Sequence, residues 1–225
     1  MSDIFDQVPF AAEFADNPEP RCPCILLLDT SASMFGNPVQ ELNNGLIAFK
    51  DELMADLMAS KRVEVAIVSF GPVRTVTDFI SPESFIPPQL AAGGDTPMGE
   101  AIERAISMLD ERKNVYKQNG VSYYRPWLFL VTDGAPTDLW ANAANRIQLG
   151  EQSKSFLFFA IGVEGCNLEV MQRLSLRQPI KLKGLRFRDM FSWLSSSLSS
   201  VSRSSVGDPV PLENPVTPAG WGMVD

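Results

Sequence analysis

The chain has 225 residues, 45% hydrophobic and 20% charged, with 19 Lys and Arg against 27 Asp and Glu for a net charge of −8. That composition suits a globular fold large enough to need no disulfide or metal staple, and its acidity argues against nucleic acid or anionic membrane as partner, because both reward a basic face. Histidine is absent, which removes Ser-His-Asp and Cys-His nucleophile chemistry and most catalytic zinc sites.

Residues 1–20 read as an N-terminal arm whose opening, Met1-Ser2-Asp3-Ile4-Phe5-Asp6, places acids where a secretory signal needs basic residues. No apolar run approaches the length of a membrane span, so the chain is expected to be cytoplasmic. Residues 24–28 (CILLL) form an uninterrupted apolar run, as a strand covered on both faces requires. Val39, Leu42, Leu46, Phe49, Leu53 and Leu57 then recur at spacings of three and four on one helix face, with Asn37 before Pro38 as its expected cap. Residues 63–70 (VEVAIVSF) and 73–80 (VRTVTDFI) read as two strands reversed at Gly71-Pro72, an antiparallel pair at a sheet edge.

After a Pro-rich loop through Gly93-Gly94, Met98, Ala101, Ile102, Ala105, Ile106 and Leu109 share a second helix face. Residues 127–132 (WLFLVT) and 156–163 (FLFFAIGV) read as buried strands with a helix over 139–152 between them. A short helix over 168–174, a weaker strand over 180–185 and a last helix bearing Phe187, Met190, Phe191, Leu194 and Leu198 complete the pattern. The expected fold is a doubly wound α/β domain over 21–203, with a mostly parallel six-stranded sheet, one antiparallel edge strand and helices on both faces. Residues 204–225, Ser-rich and then Pro-rich, read as an extended tail in which Trp221 either docks back or awaits a partner. Lys181, Lys183, Arg186 and Arg188 read as a solvated face, and Cys22, Cys24 and distant Cys166 as free thiols.

Ligands of open parallel sheets sit beyond the carboxyl ends of the strands. Three polar segments fall there: Asp29-Thr30-Ser31-Ala32-Ser33, Gly93-Gly94-Asp95-Thr96-Pro97 and Thr132-Asp133-Gly134. Asp29, Ser31, Ser33, Thr96 and Asp133 together offer two carboxylates and three hydroxyls with no nitrogen or sulfur. An all-oxygen set suits a hard cation, Mg²⁺ first, with Mn²⁺ or Ca²⁺ as substitutes. Two carboxylates at most balance the charge of such an ion and leave it electrophilic toward one more anionic oxygen, which a partner's Glu or Asp could supply. Taken singly, Asp29 and Asp133 could be turn residues and Thr96 an N-cap. Asp138 reads as a cap for the next helix, Asp95 as a loop acid, and Trp140 and Trp193 as core or surface cover.

The Asp-x-Ser-x-Ser, Thr and Asp pattern resembles the metal-ion-dependent adhesion site of von Willebrand factor A domains, over roughly residues 20–200. The resemblance implies that Ser31, Ser33 and Thr96 are hydroxyl ligands and that Asp29 and Asp133 hold the ion directly or through water. Ala32 stands where the family usually has glycine. A closer resemblance, to the tellurite-resistance-associated bacterial subgroup, is carried by residues 20–29 (PRCPCILLLD), 61–70 (KRVEVAIVSF), 132–138 (TDGAPTD) and the Pro-rich tail near Gly220-Trp221. It implies a stress-response setting with Ser/Thr kinases and PP2C-type, metal-dependent phosphatases as partners. Two alternatives stand beside the binding module. One is an Mg²⁺-dependent phosphotransferase acting through Asp29, which lacks the second acid such enzymes carry two positions on (Ser31 here), any nucleotide loop and a free general base. The other is a metal-free scaffold.

Overall fold

Alternate residues of the first strand feed two separate cores, which is why its sequence is apolar without a break. In the computed structural model, which describes Phe14 and residues 17–224, β1 (Cys22–Asp29) sends Cys24, Leu26 and Leu28 into one core and Ile25 and Leu27 into the other. β2 (Val63–Phe70) and β4 (Trp127–Thr132) flank it in parallel, and β4 divides likewise, with Trp127, Phe129 and Val131 opposite Leu128 and Leu130. β3 (Arg74–Ile80) runs antiparallel to β2 at one edge, as its Gly-Pro reversal predicts. Beyond β4 lie β5 (Leu157–Gly162) and β6 (Ile180–Leu182), both parallel.

The sheet has seven strands where the sequence pattern predicts six. β7 (Gly222–Met223), from the tail, pairs antiparallel with β6 and completes the order β3-β2-β1-β4-β5-β6-β7. A two-residue strand carries no periodicity, so it left no pattern to read.

On one face of the sheet pack α1 (Asn37–Ala55), α2 (Leu57–Arg62) and α6 (Phe187–Arg203); on the other, α3 (Met98–Gln118), α4 (Ala141–Gln152) and α5 (Leu168–Leu174). α1 and α6 touch closely at Gly45, where an added Cβ would fall 2.6 Å from the Phe191 ring. The helix predicted through Leu57 is two helices. Asp56 interrupts it by accepting the Met58 and Ala59 amides at 2.9 and 3.0 Å, and Leu57 is left 79% exposed. Asn37, read as a cap, is instead the first residue of α1; Gly36 precedes it at φ +87°, a conformation that favours glycine.

Burial raises the Asp56 carboxyl, but the two amides and Arg203 outweigh it and hold the group below its ordinary value. A depressed carboxyl stabilises the fold above its unfolded pKa and loses that contribution as pH falls through its folded one. Asp56→Ala is therefore expected to cost about 1 kcal/mol in urea unfolding at neutral pH, with the difference from wild type shrinking below about pH 4.

The tail does dock. Past α6 it returns beneath the sheet edge, where the Trp193 indole N–H donates to Glu213 O (2.8 Å) and Lys183 Nζ to Thr217 O and Gly220 O (3.1 and 2.9 Å). Arg186 Nη1 also donates to Gly220 O (2.9 Å), so Lys183 and Arg186, read as a solvated face, hold the tail. Trp221 is buried at 4% exposure, edge-on to Trp193 at 5.6 Å between ring centroids, in a cluster with Trp127, Phe129 and Phe159. Trp193 thus belongs to the core, whereas Trp140 packs only partly buried against the other one. On the N-terminal side, Asn17 donates to Lys61 O (2.7 Å) and Arg62 pairs with Glu19 (2.6 Å). Most of the arm lies outside the described residues.

No disulfide joins the described cysteines, and burial, reinforced by the Glu64 charge, pushes Cys22 up to about 12, far from a nucleophile's range. Glu64 itself is compensated at the amino ends of the strands by Arg21 (3.2 Å) and Arg112 (2.8 Å). No helix among the described residues is long and apolar enough to cross a membrane.

Candidate metal centre

The order of strands reverses direction between β1 and β4, and the crevice opens at their carboxyl ends. β1 ends at Asp29 and β4 at Thr132, so parallel pairing alone brings these two residues side by side. Asp29 is fully buried. Its Oδ1 accepts the Ser31 amide at 2.8 Å, and its Oδ2 accepts the Thr132 hydroxyl at 2.6 Å. The Ser31 and Ser33 hydroxyls lie 3.0 Å apart, and Ser33 Oγ donates to Asp133 Oδ1 at 2.7 Å. One hydrogen-bonded chain therefore runs from the first loop to the third.

Backbone bonds tie in the second loop. Gly93 N donates to Thr30 O (2.8 Å) and Ala32 N to Gly94 O (3.0 Å). Gly71, at φ +126°, lies so close beneath that an added Cβ would fall 2.8 Å from the Thr30 carbonyl and the Ser31 amide. Thr96 pairs with Thr137 of the third loop through Thr96 N to Thr137 Oγ1 (3.1 Å) and Thr137 N to Thr96 O (3.0 Å). Gly134 is where the two sides meet: a Cβ there would be 3.3 Å from Thr96 Oγ1 and 3.7 Å from Asp29 Oδ2. The Thr96 hydroxyl makes no hydrogen bond among the described residues, although its carbonyl and amide are both used.

The N-cap reading of Thr96 fails, because Asp138 does that work. Its carboxylate oxygens accept the Gly99 and Glu100 amides of α3 at 3.0 and 2.8 Å. The sequence reading gave Asp138 to the following helix; it caps the preceding one, across the crevice. Asp95 is an exposed loop acid, and Ala32 is exposed as well. The structure thus brings all five predicted residues to one place. Sequence reasoning passed over Thr132, whose hydroxyl orients Asp29; its place at the end of β4, one residue before Asp133, was the available signal.

Burial raises the Asp29 carboxyl above its ordinary value and the nearby Asp133 charge adds to this, against the hydrogen bonds from Ser31 and Thr132. Asp133 is also raised by burial, against the Ser33 hydrogen bond. Neither is ion-paired among the described residues. Two desolvated carboxylates without a basic partner favour a cation between them. Among the described residues no group of three or more Asp, Glu, Cys or His side chains could hold a metal, so any ion here depends on hydroxyl donors. The donor set is all oxygen, and it fits a hard cation and no soft one.

A family model for the von Willebrand factor type A domain matches residues 24–183, most of the chain. The chain belongs to that family. No protein of curated function matches it in sequence. Among solved structures, the von Willebrand factor A domain of this chain is similar to the pilus adhesin SpaC of Lactobacillus rhamnosus GG in its open conformation, with a TM-score of 0.66 at 12% identity over 82% of this chain and 31% of the adhesin. It is also similar to proximal thread matrix protein 1 of the mussel byssus (0.56, 14% identity, 81% and 49% covered). A third is the ArnB paralog VWA2 of Sulfolobus acidocaldarius (0.53, 17% identity, 80% and 45%). The chain spans less than half the length of each of these proteins, and at such identities the likeness is one of fold. Von Willebrand factor A domains typically mediate metal-dependent protein interaction and are generally binding modules.

Proposed function

We propose that this domain binds a divalent cation on Asp29, Ser31, Ser33, Thr96 and Asp133 and recognises a partner protein through a Glu or Asp of that partner. Mg²⁺ is the preferred ion, with Mn²⁺ or Ca²⁺ able to replace it. The observation that carries the reading is the convergence of those five side chains from three loops in the crevice between β1 and β4. In that place an ion supplies an electrophilic position for one further anionic oxygen. The protein's part is to hold the donors: Thr132 and the Ser31 amide fix Asp29, the Ser33 hydroxyl fixes Asp133, and the Thr137 pair and the Asp138 cap fix Thr96.

The same reading makes the chain a binding module rather than an enzyme, since the acids are committed to the ion and no histidine exists to act as base. A cytoplasmic stress-response role of the tellurite-resistance type, with a Ser/Thr kinase and a PP2C-type phosphatase as partners, is the finer form of the proposal. The stretches at 20–29, 61–70 and 132–138 are its support. Affinity capture with the pure domain tests it, using candidate kinase and phosphatase in Mg²⁺, in EDTA, and with the double variant Asp29→Ala, Ser31→Ala. Retention in Mg²⁺ alone is the expected result. Equal retention in all three preparations would show that the ion is not the contact.

A further inference from the structure

A groove of about 700 Å³ begins at Asp138 and Leu139 and runs down between α4 and α5. Its mouth adjoins the candidate metal centre. Thr137 is hydrogen-bonded to Thr96 on both its amide and its hydroxyl, and Leu139 follows two residues later. The backbone step from Thr137 to Leu139 spans at most about 7 Å, so a chain leaving the metal centre can enter the groove.

The groove's chemistry is specific. Leu139, 96% exposed, and Leu176, 52% exposed, both line it. Within it the Arg173 guanidinium lies 5.0 Å from the centroid of the Trp140 ring. Arg173 has no carboxylate partner among the described residues. Asp138, the one acid in the lining, has both oxygens occupied by α3 amides. Asn145, Gln148 and Gln172 are neutral. The groove therefore offers one guanidinium without a carboxylate partner, set against an aromatic ring, a feature complementary to an acid beside an apolar residue.

We propose that this groove takes the partner segment whose first acid reaches the metal centre. Farther along that segment a second Asp or Glu pairs with Arg173, and an apolar side chain between the two packs on Leu139 and Trp140. The position of the first acid rests on the metal reading; the choice of the second rests on the groove.

A displayed library of short random peptides with one fixed glutamate, selected on the intact chain in Mg²⁺, tests this. A second acid several residues from the fixed one, with an apolar residue between them, is the expected enrichment. By fluorescence anisotropy, Arg173→Glu should weaken a selected peptide about tenfold and Leu139→Ser severalfold. Changing the peptide's second acid to lysine should recover binding to Arg173→Glu. Both positions are exposed, and Arg173→Glu should keep its calorimetric response to Mg²⁺. Binding that EDTA abolishes but both variants leave unchanged overturns the groove while sparing the metal centre. Binding lost in Arg173→Glu but indifferent to EDTA supports the groove and overturns the metal centre. Selection of no acidic pair overturns the groove proposal.

Discussion

Saturating Mg²⁺ is expected to raise the melting temperature of the wild-type chain by about 5–10 °C, and that of Asp29→Asn not at all. An ion at about a hundred times its dissociation constant stabilises the state that binds it by about 2.7 kcal/mol, and each kcal/mol moves the transition of a domain this size by about 2–4 °C. Without metal the sign differs. Asp29 is fully buried, its carboxyl is raised by burial and by the Asp133 charge, and no basic side chain among the described residues pairs with it. Asn keeps an acceptor for the Ser31 amide while removing that charge, so metal-free Asp29→Asn should melt at or above metal-free wild type. Because both carboxyls are raised, the metal-free fold binds more protons than the unfolded chain just above the ordinary carboxylate range. Their contribution to stability therefore rises as pH falls through that window. Scanning calorimetry of both proteins with Mg²⁺ and with EDTA measures all three signs. A wild type indifferent to Mg²⁺, Mn²⁺ and Ca²⁺ would sink the metal reading.

Trp221→Ala is expected to destabilise the domain by about 2–4 kcal/mol. Truncating a buried tryptophan costs about 3–5 kcal/mol, and Trp221 has the burial and ring contacts with Trp193 to place it there. Its indole N–H, however, is buried without a hydrogen-bond partner among the described residues, and losing an unsatisfied donor returns about 1 kcal/mol. Trp221→Phe separates the two contributions, since it keeps a ring against Trp193 and removes the orphaned donor. It should cost less than about 1.5 kcal/mol. Urea unfolding of the three proteins reads the ranking directly, and an alanine variant as stable as wild type would mean that the tail adds nothing to the fold. Losing Trp221 should also loosen β7 and open the β6 edge to other strands, so the alanine variant should aggregate sooner on heating.

What the sequence showed and what it hid divide along physical lines. β1, β2 and β4 were legible because strands covered on both faces must be apolar throughout, and the antiparallel turn to β3 was legible from Gly71-Pro72. The convergence of the five candidate residues was legible because they sit within a few positions of strand ends or helix starts, and parallel topology gathers such ends on one side. The division of α1 from α2 was hidden because apolar spacing continued through Leu57; only the two amides accepted by Asp56 mark the break. Asp138 was assigned to the wrong helix because capping was judged by neighbourhood in the chain, whereas its partners lie 39 and 38 residues away. Lys183 and Arg186 looked solvent-facing because their acceptors are main-chain oxygens, which no side-chain pattern announces.

Those acceptors have a consequence of their own. Glu213, Thr217 and Gly220 are gripped by their carbonyls, and every amino acid carries one. The strap is thus recognised at these points by its path, although Gly220 must stay glycine, because a Cβ there would fall 2.1 Å from Pro215 O. At Glu213 and Thr217 the spelling is free to drift wherever the backbone can follow the same course, while removal of a single residue would pull Trp221 out of register with its socket.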